Sequence, residues 1–189
     1  MTETDIMKSI RNTEEKPTMN YLMTRRSCRR FEDRPVEREK IEALLRAGMQ
    51  APSGKDARPW QFLVLTEREK LVRLSESCPF SVAAAKAPGA ILLLADFQKE
   101  ERDVMWWPQC LAACAENMLL QAEMVGLGAV WLGLWPVQER VDHCREVFSL
   151  PADLEPFAAI AFGYKAKEKP PEDRWDPTLV HWGELGCRG

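Results

Sequence analysis

Residues 108–134, PQCLAACAENMLLQAEMVGLGAVWLGL, carry a long helix, its stop and a strand in a single run. From Pro108 to Val125 the stretch is rich in Ala, Leu and Met and poor in charge. A helix apolar nearly all round is buried, either in a large core or against another chain. Gly126-Leu127-Gly128 ends it, and Ala129–Leu134 (AVWLGL) reads as a buried strand. Cys110 and Cys114, four residues apart, share one face of the helix and read as packing residues.

The pattern continues outward on both sides. Upstream, Ala90–Ala95 (AILLLA) is a strand apolar throughout, hence covered on both faces, and Trp60–Leu65 (WQFLVL) is another. Between them, Thr66-x-x-Glu69 predicts a capping box opening a helix to about Glu76. Val36–Met49 places Ile41, Leu44, Leu45 and Gly48 at helical spacing, and Pro52-Ser53-Gly54 breaks the helix. A short helix is expected over Met19–Thr24. Downstream, Pro136–Phe148 is amphipathic and Pro156–Tyr164 (PFAAIAFGY) is a fourth strand. Lys165–Gly189 holds Trp175 and Trp182 without periodicity, so it must wrap over something to be ordered. Alternating strands and helices predict an α+β fold, layered α/β/α, with helices on both faces of a sheet. No GxGxxG follows a strand, which excludes a doubly wound dinucleotide fold.

Composition narrows the function. The chain has 189 residues, one domain's worth by the prior of roughly 100–200 residues per domain. Its 26 Lys+Arg against 29 Asp+Glu give a net charge of −3, which lacks the basic excess of a generic nucleic-acid binder. At 46% hydrophobic it is too apolar for a disordered chain, yet no run reaches the ~18–20 residues of a membrane span. Residues 1–18 are polar and of mixed charge, a solvated extension rather than a signal peptide, leaving 19–189 as the folded domain of a cytoplasmic protein. The six cysteines then read as reduced thiols, and with two histidines and no CxxC pair no metal site is expected.

Four clusters could carry chemistry. Arg25-Arg26-Ser27-Cys28-Arg29-Arg30 puts four guanidinium groups and a hydroxyl at a helix end, a set suited to phosphate, although a charge run is commonly just solvated surface. Ala51-Pro52-Ser53-Gly54-Lys55-Asp56, with Arg58-Pro59-Trp60 close behind, is a turn able to offer backbone N–H groups, or simply a loop. The third, Gly126–Gly133, serves at least as a helix stop and strand. The fourth joins Gly163-Tyr164-Lys165 to Arg174-Trp175-Asp176-Pro177.

In this order and register the four resemble the nitroreductase family of FMN-dependent oxidoreductases. The matching residues are Arg25-Arg26-Ser27-x-Arg29-x-Phe31 and Ala51-Pro52-Ser53-Gly54-x-x-x-x-Pro59-Trp60-x-Phe62. Ala112-Ala113-x-x-x-Asn117-x-x-Leu120-x-Ala122 leads into Gly126-Leu127-Gly128-x-x-Trp131-Leu132-Gly133, and Gly163-Tyr164 precedes Pro170-Pro171-x-x-Arg174-x-x-Pro177. The resemblance spans about Met19 to Trp182.

The resemblance implies a mixed sheet and a homodimer with the C-terminal tail exchanged between subunits. It assigns Arg25, Arg26 and Ser27 to the FMN phosphate and ribityl chain, with Lys165 and Arg174 closing on the phosphate. Arg29 approaches the pyrimidine edge, where a cation favours the reduced flavin. Trp131, Leu132 and Gly133 lie beside the ring, and Pro52, Ser53, Gly54 and Asp56 reach it from the second subunit. The implied reaction moves a hydride from NADH or NADPH via flavin N5 to a nitroaromatic, quinone or enone, with no catalytic side chain. Two positions depart from the family: Asp56 replaces Asn and Arg58 replaces Gln, exchanging amides for a carboxylate and a cation. The alternatives are other flavin chemistry on the same fold (dehalogenation or flavin remodelling) and non-catalytic FMN binding. Phe97–Trp107 is too short for a large lid.

Overall fold

The run around Ala90–Ala95 becomes the strand about which the chain is built. A computed structural model describes residues 21–77, 81–99, 101–102 and 106–183, so the 1–18 extension, the start of the first helix at Met19, Cys78 and Cys187 lie outside the described residues. The strands are β1 (Trp60–Leu65), β2 (Gly89–Asp96), β3 (Gly128–Gly133) and β4 (Leu154–Gly163), in spatial order β1-β2-β4-β3. All three pairings are antiparallel. The mixed sheet expected from the resemblance is, among the described residues, an antiparallel one with a single parallel contact, the isolated bridge Ser27–Ala129.

β2 is buried at every position. Ile91, Leu93 and Ala95 enter the core on one side of the sheet, and Ala90, Leu92 and Leu94 enter it on the other. Leu93 pairs with Ala158 but Leu94 with Pro156, leaving Phe157 as the extra residue of a bulge. A proline has no amide to give the ladder, and the bulge lets the central strand absorb it. Phe157 and Ala158 consequently face the same core.

The helices are α1 (Tyr21–Thr24), α2 (Arg38–Met49), α3 (Arg68–Ser75), α4 (Val82–Lys86), α5 (Trp107–Met124) and α6 (Gln138–Phe148). α2 and α5 cover one face, while α3, α4 and α6 cover the other, giving the expected α/β/α layering. The long helix α5 buries Trp107, Cys110, Leu111, Cys114, Ala115, Met118, Leu119 and Ala122, one stripe at i, i+3, i+4 spacing. Ala112, Ala113 and Leu120 on its flank stay half-buried. α2 crosses it closely at Gly48, where an added Cβ would lie 2.9 Å from Cys114 Sγ and from Met118 Cγ.

The predicted capping box does not form. α3 begins at Arg68 with Glu67, not Thr66, as its N-cap, so Glu69 stands at N2, one position short of the N3 a capping box uses, and Lys70 holds the Glu67 carboxylate at 2.8 Å. Beyond Lys165 the described residues are largely exposed: Trp175 is 70% and Trp182 91% accessible, and a 3₁₀ turn spans Pro177–Leu179. None of the helices among the described residues is long and apolar enough to cross a membrane.

Candidate functional site

β3 is an edge strand, and the arginine segment is stitched along its outer side. The Cys28 amide donates to the Ala129 carbonyl at 2.9 Å, and the Glu32 amide to the Tyr164 carbonyl at 2.9 Å. The Ala166 amide donates to the Arg30 carbonyl at 3.1 Å, and Lys169 Nζ to the Ser27 carbonyl at 3.1 Å. In extended backbone successive side chains alternate, so the buried Cys28 leaves Ser27 and Arg29 on the opposite face. Gly128 makes this approach possible: a Cβ there would lie 2.6 Å from Cys28 Cβ and 2.8 Å from Lys165 Cγ.

Three adjoining clefts run along the segment. The first, about 360 Å³, is lined by Arg25, Arg26, Glu172 and Arg174. The second, about 460 Å³, has Arg26, Ser27, Arg29, Glu123 and Lys165 on its walls. The third, about 620 Å³, reaches Arg29, Trp131, Leu132, Gly133 and Arg140. Arg26 joins the first to the second and Arg29 the second to the third. Nine of the thirteen residues assigned to FMN by resemblance (Arg25, Arg26, Ser27, Arg29, Trp131, Leu132, Gly133, Lys165 and Arg174) therefore line these three clefts.

Carboxylates already hold the cationic end. Glu172 sits between Arg26 at 2.6 Å and Arg174 at 3.1 Å, and Arg25 reaches Glu116 at 3.4 Å. The hydrogen bond from Arg174 and the charge of Arg26 hold the Glu172 carboxyl below the usual carboxylate range. Three guanidinium groups that collect acidic oxygens in this way suit a phosphate, and Ser27 adds a neutral hydroxyl. Lys165 is differently placed. Its ammonium, 15% exposed, is 2.9 Å from the Glu123 carboxylate, 9% exposed, and 3.3 Å from Glu168. Burial opposes its charge, but hydrogen bonds and charge from the two glutamates raise its pKa.

Pro52, Ser53, Gly54 and Asp56 are elsewhere. Their loop precedes β1, the far edge of the sheet from β3, three strand spacings or about 14 Å away. The Gly54 amide donates to Cys110 Sγ at 3.3 Å, and the Ser53 hydroxyl accepts from the Arg58 amide at 3.0 Å. Lys55, Asp56 and Arg58 all have positive φ (52°, 55° and 49°), a strained left-handed conformation for side-chain-bearing residues. Arg58 grips Asp56 bidentately at 2.8 and 2.7 Å, and that bonding keeps the Asp56 carboxyl below its ordinary pKa.

Three residues of the groove are not evident in the sequence. Arg140 donates to the Gly133 carbonyl at 3.0 Å and fixes the strand end, yet in sequence it is one more charge on an amphipathic helix. Glu123 and Glu172 matter through partners; only Glu172, two residues before Arg174, carries a local hint.

The Nitroreductase family model matches residues 22–106 and 79–164. A Methanothermobacter thermautotrophicus protein provisionally named NADH dehydrogenase/NAD(P)H nitroreductase is 39% identical over 163 residues, 86% of this chain and 85% of that one. The crystal structure of a provisionally named NADH oxidase from Clostridium acetobutylicum aligns with a TM-score of 0.85 at 43% identity, covering 88% of this chain and 100% of its own. An FMN-dependent nitroreductase from Clostridium difficile aligns at 0.81 and 30% identity, over 87% of this chain and 98% of its own. A layered fold, a cationic groove along an edge strand and these matches agree: the chain belongs to the nitroreductase family of oxidoreductases.

Proposed function

We propose that the protein is an FMN-dependent NAD(P)H oxidoreductase acting on nitroaromatic, quinone or enone acceptors, and that it works as a homodimer. The observation that carries this is the row of three clefts along one sheet edge, from the Arg25, Arg26 and Arg174 guanidinium groups to Trp131, Leu132 and Gly133. Its cationic end suits a phosphate monoester, and its far end is bounded by strand backbone and an aromatic residue, as a flat ring system requires. When bound, FMN supplies the two-electron carrier between the nicotinamide donor and the acceptor.

The chain's own part is binding and electrostatics. Arg25, Arg26 and Arg174 take the phosphate in place of Glu116 and Glu172, with Ser27 on the polar chain beside it. Lys165 lines the second cleft as a further cation and braces its wall through Glu123. Arg29 offers positive charge between the second and third clefts, where it would stabilise the negative charge that a bound flavin gains on reduction. Arg140 holds the Gly133 carbonyl, leaving the end of β3 fixed. Pro52, Ser53, Gly54 and Asp56, at the opposite sheet edge, serve the groove of a second copy, and the exposed tail bearing Trp175 and Trp182 crosses to that copy. Arg58 cancels the Asp56 charge, so the departure from the family's amides costs the site little net charge.

The test is direct. The purified protein is expected to be yellow or to take up added FMN, and anaerobic NADH or NADPH is expected to bleach it. Arg25→Ala with Arg174→Ala is expected to lose FMN. Colourless protein that binds no FMN refutes the proposal; flavin that neither donor bleaches reduces it to a binding protein.

A further inference from the structure

Beside the loop at the far sheet edge lies an aromatic surface that the FMN assignment does not use. Trp106, at the start of α5, is 46% exposed, although it is the kind of residue a chain ordinarily packs away. It rests on the loop backbone at Gly54, where an added Cβ would come within 3.0 Å of Trp106 Cε3. Over its ring, 5.4 Å from the centroid, stands the Lys55 ammonium. Lys55 reaches that place from a left-handed backbone (φ 52°, ψ 21°), a strained conformation for a lysine that is held only where surroundings enforce it.

The charge balance singles Lys55 out. Arg58 is consumed by Asp56, whereas Lys55 makes no ion pair among the described residues, so the loop presents a cation without a counter-charge beside a half-exposed indole. A flat aromatic can stack on Trp106, and an anionic group on its rim can meet Lys55.

We propose that Trp106 and Lys55 select the electron acceptor, favouring planar aromatic acceptors that carry a carboxylate or another anionic substituent. This rests on the oxidoreductase reading, in which the Pro52–Asp56 loop reaches the flavin of the second subunit. Lys55 and Trp106 are binding residues, and the reduction itself asks nothing of them.

The experiment compares 4-nitrobenzoate with 4-nitrobenzamide, equal in shape and different in charge, using FMN-loaded dimer and saturating NAD(P)H. The wild type is expected to favour the acid in kcat/KM by about threefold to tenfold, as one partly screened ion pair allows. Lys55→Gln is expected to bring the ratio close to one through the KM of the acid, and Lys55→Arg to retain it. Trp106→Ala is expected to raise KM for both, and Trp106→Phe to recover much of the loss. Flavin content and anaerobic bleaching, measured on each variant, report on the flavin reading separately. A wild-type ratio near one, or a ratio that Lys55→Gln leaves in place, overturns the proposal while a normally bleached flavin keeps the oxidoreductase reading intact. A protein that takes up no FMN overturns both.

Discussion

Gly128→Ala tests the junction between fold and site. An added Cβ would stand 2.6 Å from Cys28 Cβ, 2.7 Å from Cys28 Sγ and 2.8 Å from Lys165 Cγ. Carbon atoms prefer about 3.5–4.0 Å, so Cys28 must retreat by about 1 Å. It is poorly placed to do so: its amide is bonded to Ala129, its Sγ donates to the Arg30 carbonyl at 3.2 Å, and Phe31 bridges to Lys165. Overpacking of this kind costs about 1–3 kcal/mol, or roughly 3–10 °C of Tm at this chain length. The displaced segment carries Arg25, Arg26, Ser27 and Arg29, so FMN affinity is expected to fall by about tenfold or more. Two other glycines of the motif are the controls. Gly126 has φ +77° and no atom within 4 Å of an added Cβ, so alanine there meets backbone strain of about 1 kcal/mol and leaves FMN binding alone. At Gly133 an added Cβ meets only Trp131 Nε1 at 4.0 Å, so Tm should hold while FMN binding weakens where the ring is seated. Thermal melts and FMN fluorescence titrations read both quantities. Gly128→Ala with unchanged Tm and unchanged affinity would refute the reasoning, as would equal effects at all three positions.

The remaining predictions concern charges and thiols. Lys165→Met strands the nearly buried Glu123 carboxylate and is expected to cost about 2–3 kcal/mol in urea unfolding, with Glu123→Gln added to it restoring most of the loss. Because the pKa of Lys165 is raised on folding, its contribution is full at neutral pH and fades as pH climbs past the ordinary lysine range; Glu123→Gln should flatten that alkaline limb. Glu172→Gln frees Arg26 and Arg174 and should tighten FMN binding by about twofold to fivefold; weaker binding would argue that the phosphate lies elsewhere. Burial pushes the Cys114 thiol up to about 12, so alkylation at pH 8 should leave it unlabelled in folded protein, a point that peptide mass spectrometry decides.

The sheet is legible in the sequence because its strands are short apolar runs closed by Gly, Pro and charge, and burial on two faces leaves such runs little choice. What decides pairing is not local. The order β1-β2-β4-β3 depends on contacts between distant segments, and nothing around Pro156 announces that Phe157 is the bulged residue. Boundaries move where side chains find other work, as Glu67 does with Lys70. In the site, the arginine run and the glycines that stop α5 stand out in the sequence as local signals, but what they touch does not: Gly128 faces Cys28 and Lys165, and Arg25 and Arg26 face Glu116 and Glu172. The meaning of Lys165 cannot be read in place, because the glutamate that holds it lies 42 residues earlier on α5. Nor can the loop's backbone: Lys55 and Arg58, on either side of Asp56, adopt left-handed conformations that local preference keeps for Gly, Asn and Asp.

That loop bears on what the functional unit is. The Arg25–Phe31 and Ala51–Phe62 motifs are separated by only a short stretch of chain, yet the fold sends them to opposite edges of one sheet. A single copy offers clefts with their cations and strand end in place and, at the other edge of the sheet, a strained loop with a half-exposed tryptophan and a lysine ammonium above it. Strain and exposed aromatic surface are costs that a chain keeps when something gains from them. In the proposed homodimer, a twofold axis would present the same pair of features twice, each loop to the other copy's groove, and would give the exposed tail with Trp175 and Trp182 a surface to cover. Dilution is therefore the sharpest probe of this arrangement. FMN affinity should fall together with dimer content as the protein is diluted, and a monomer that retains full affinity would show that the groove of one chain suffices.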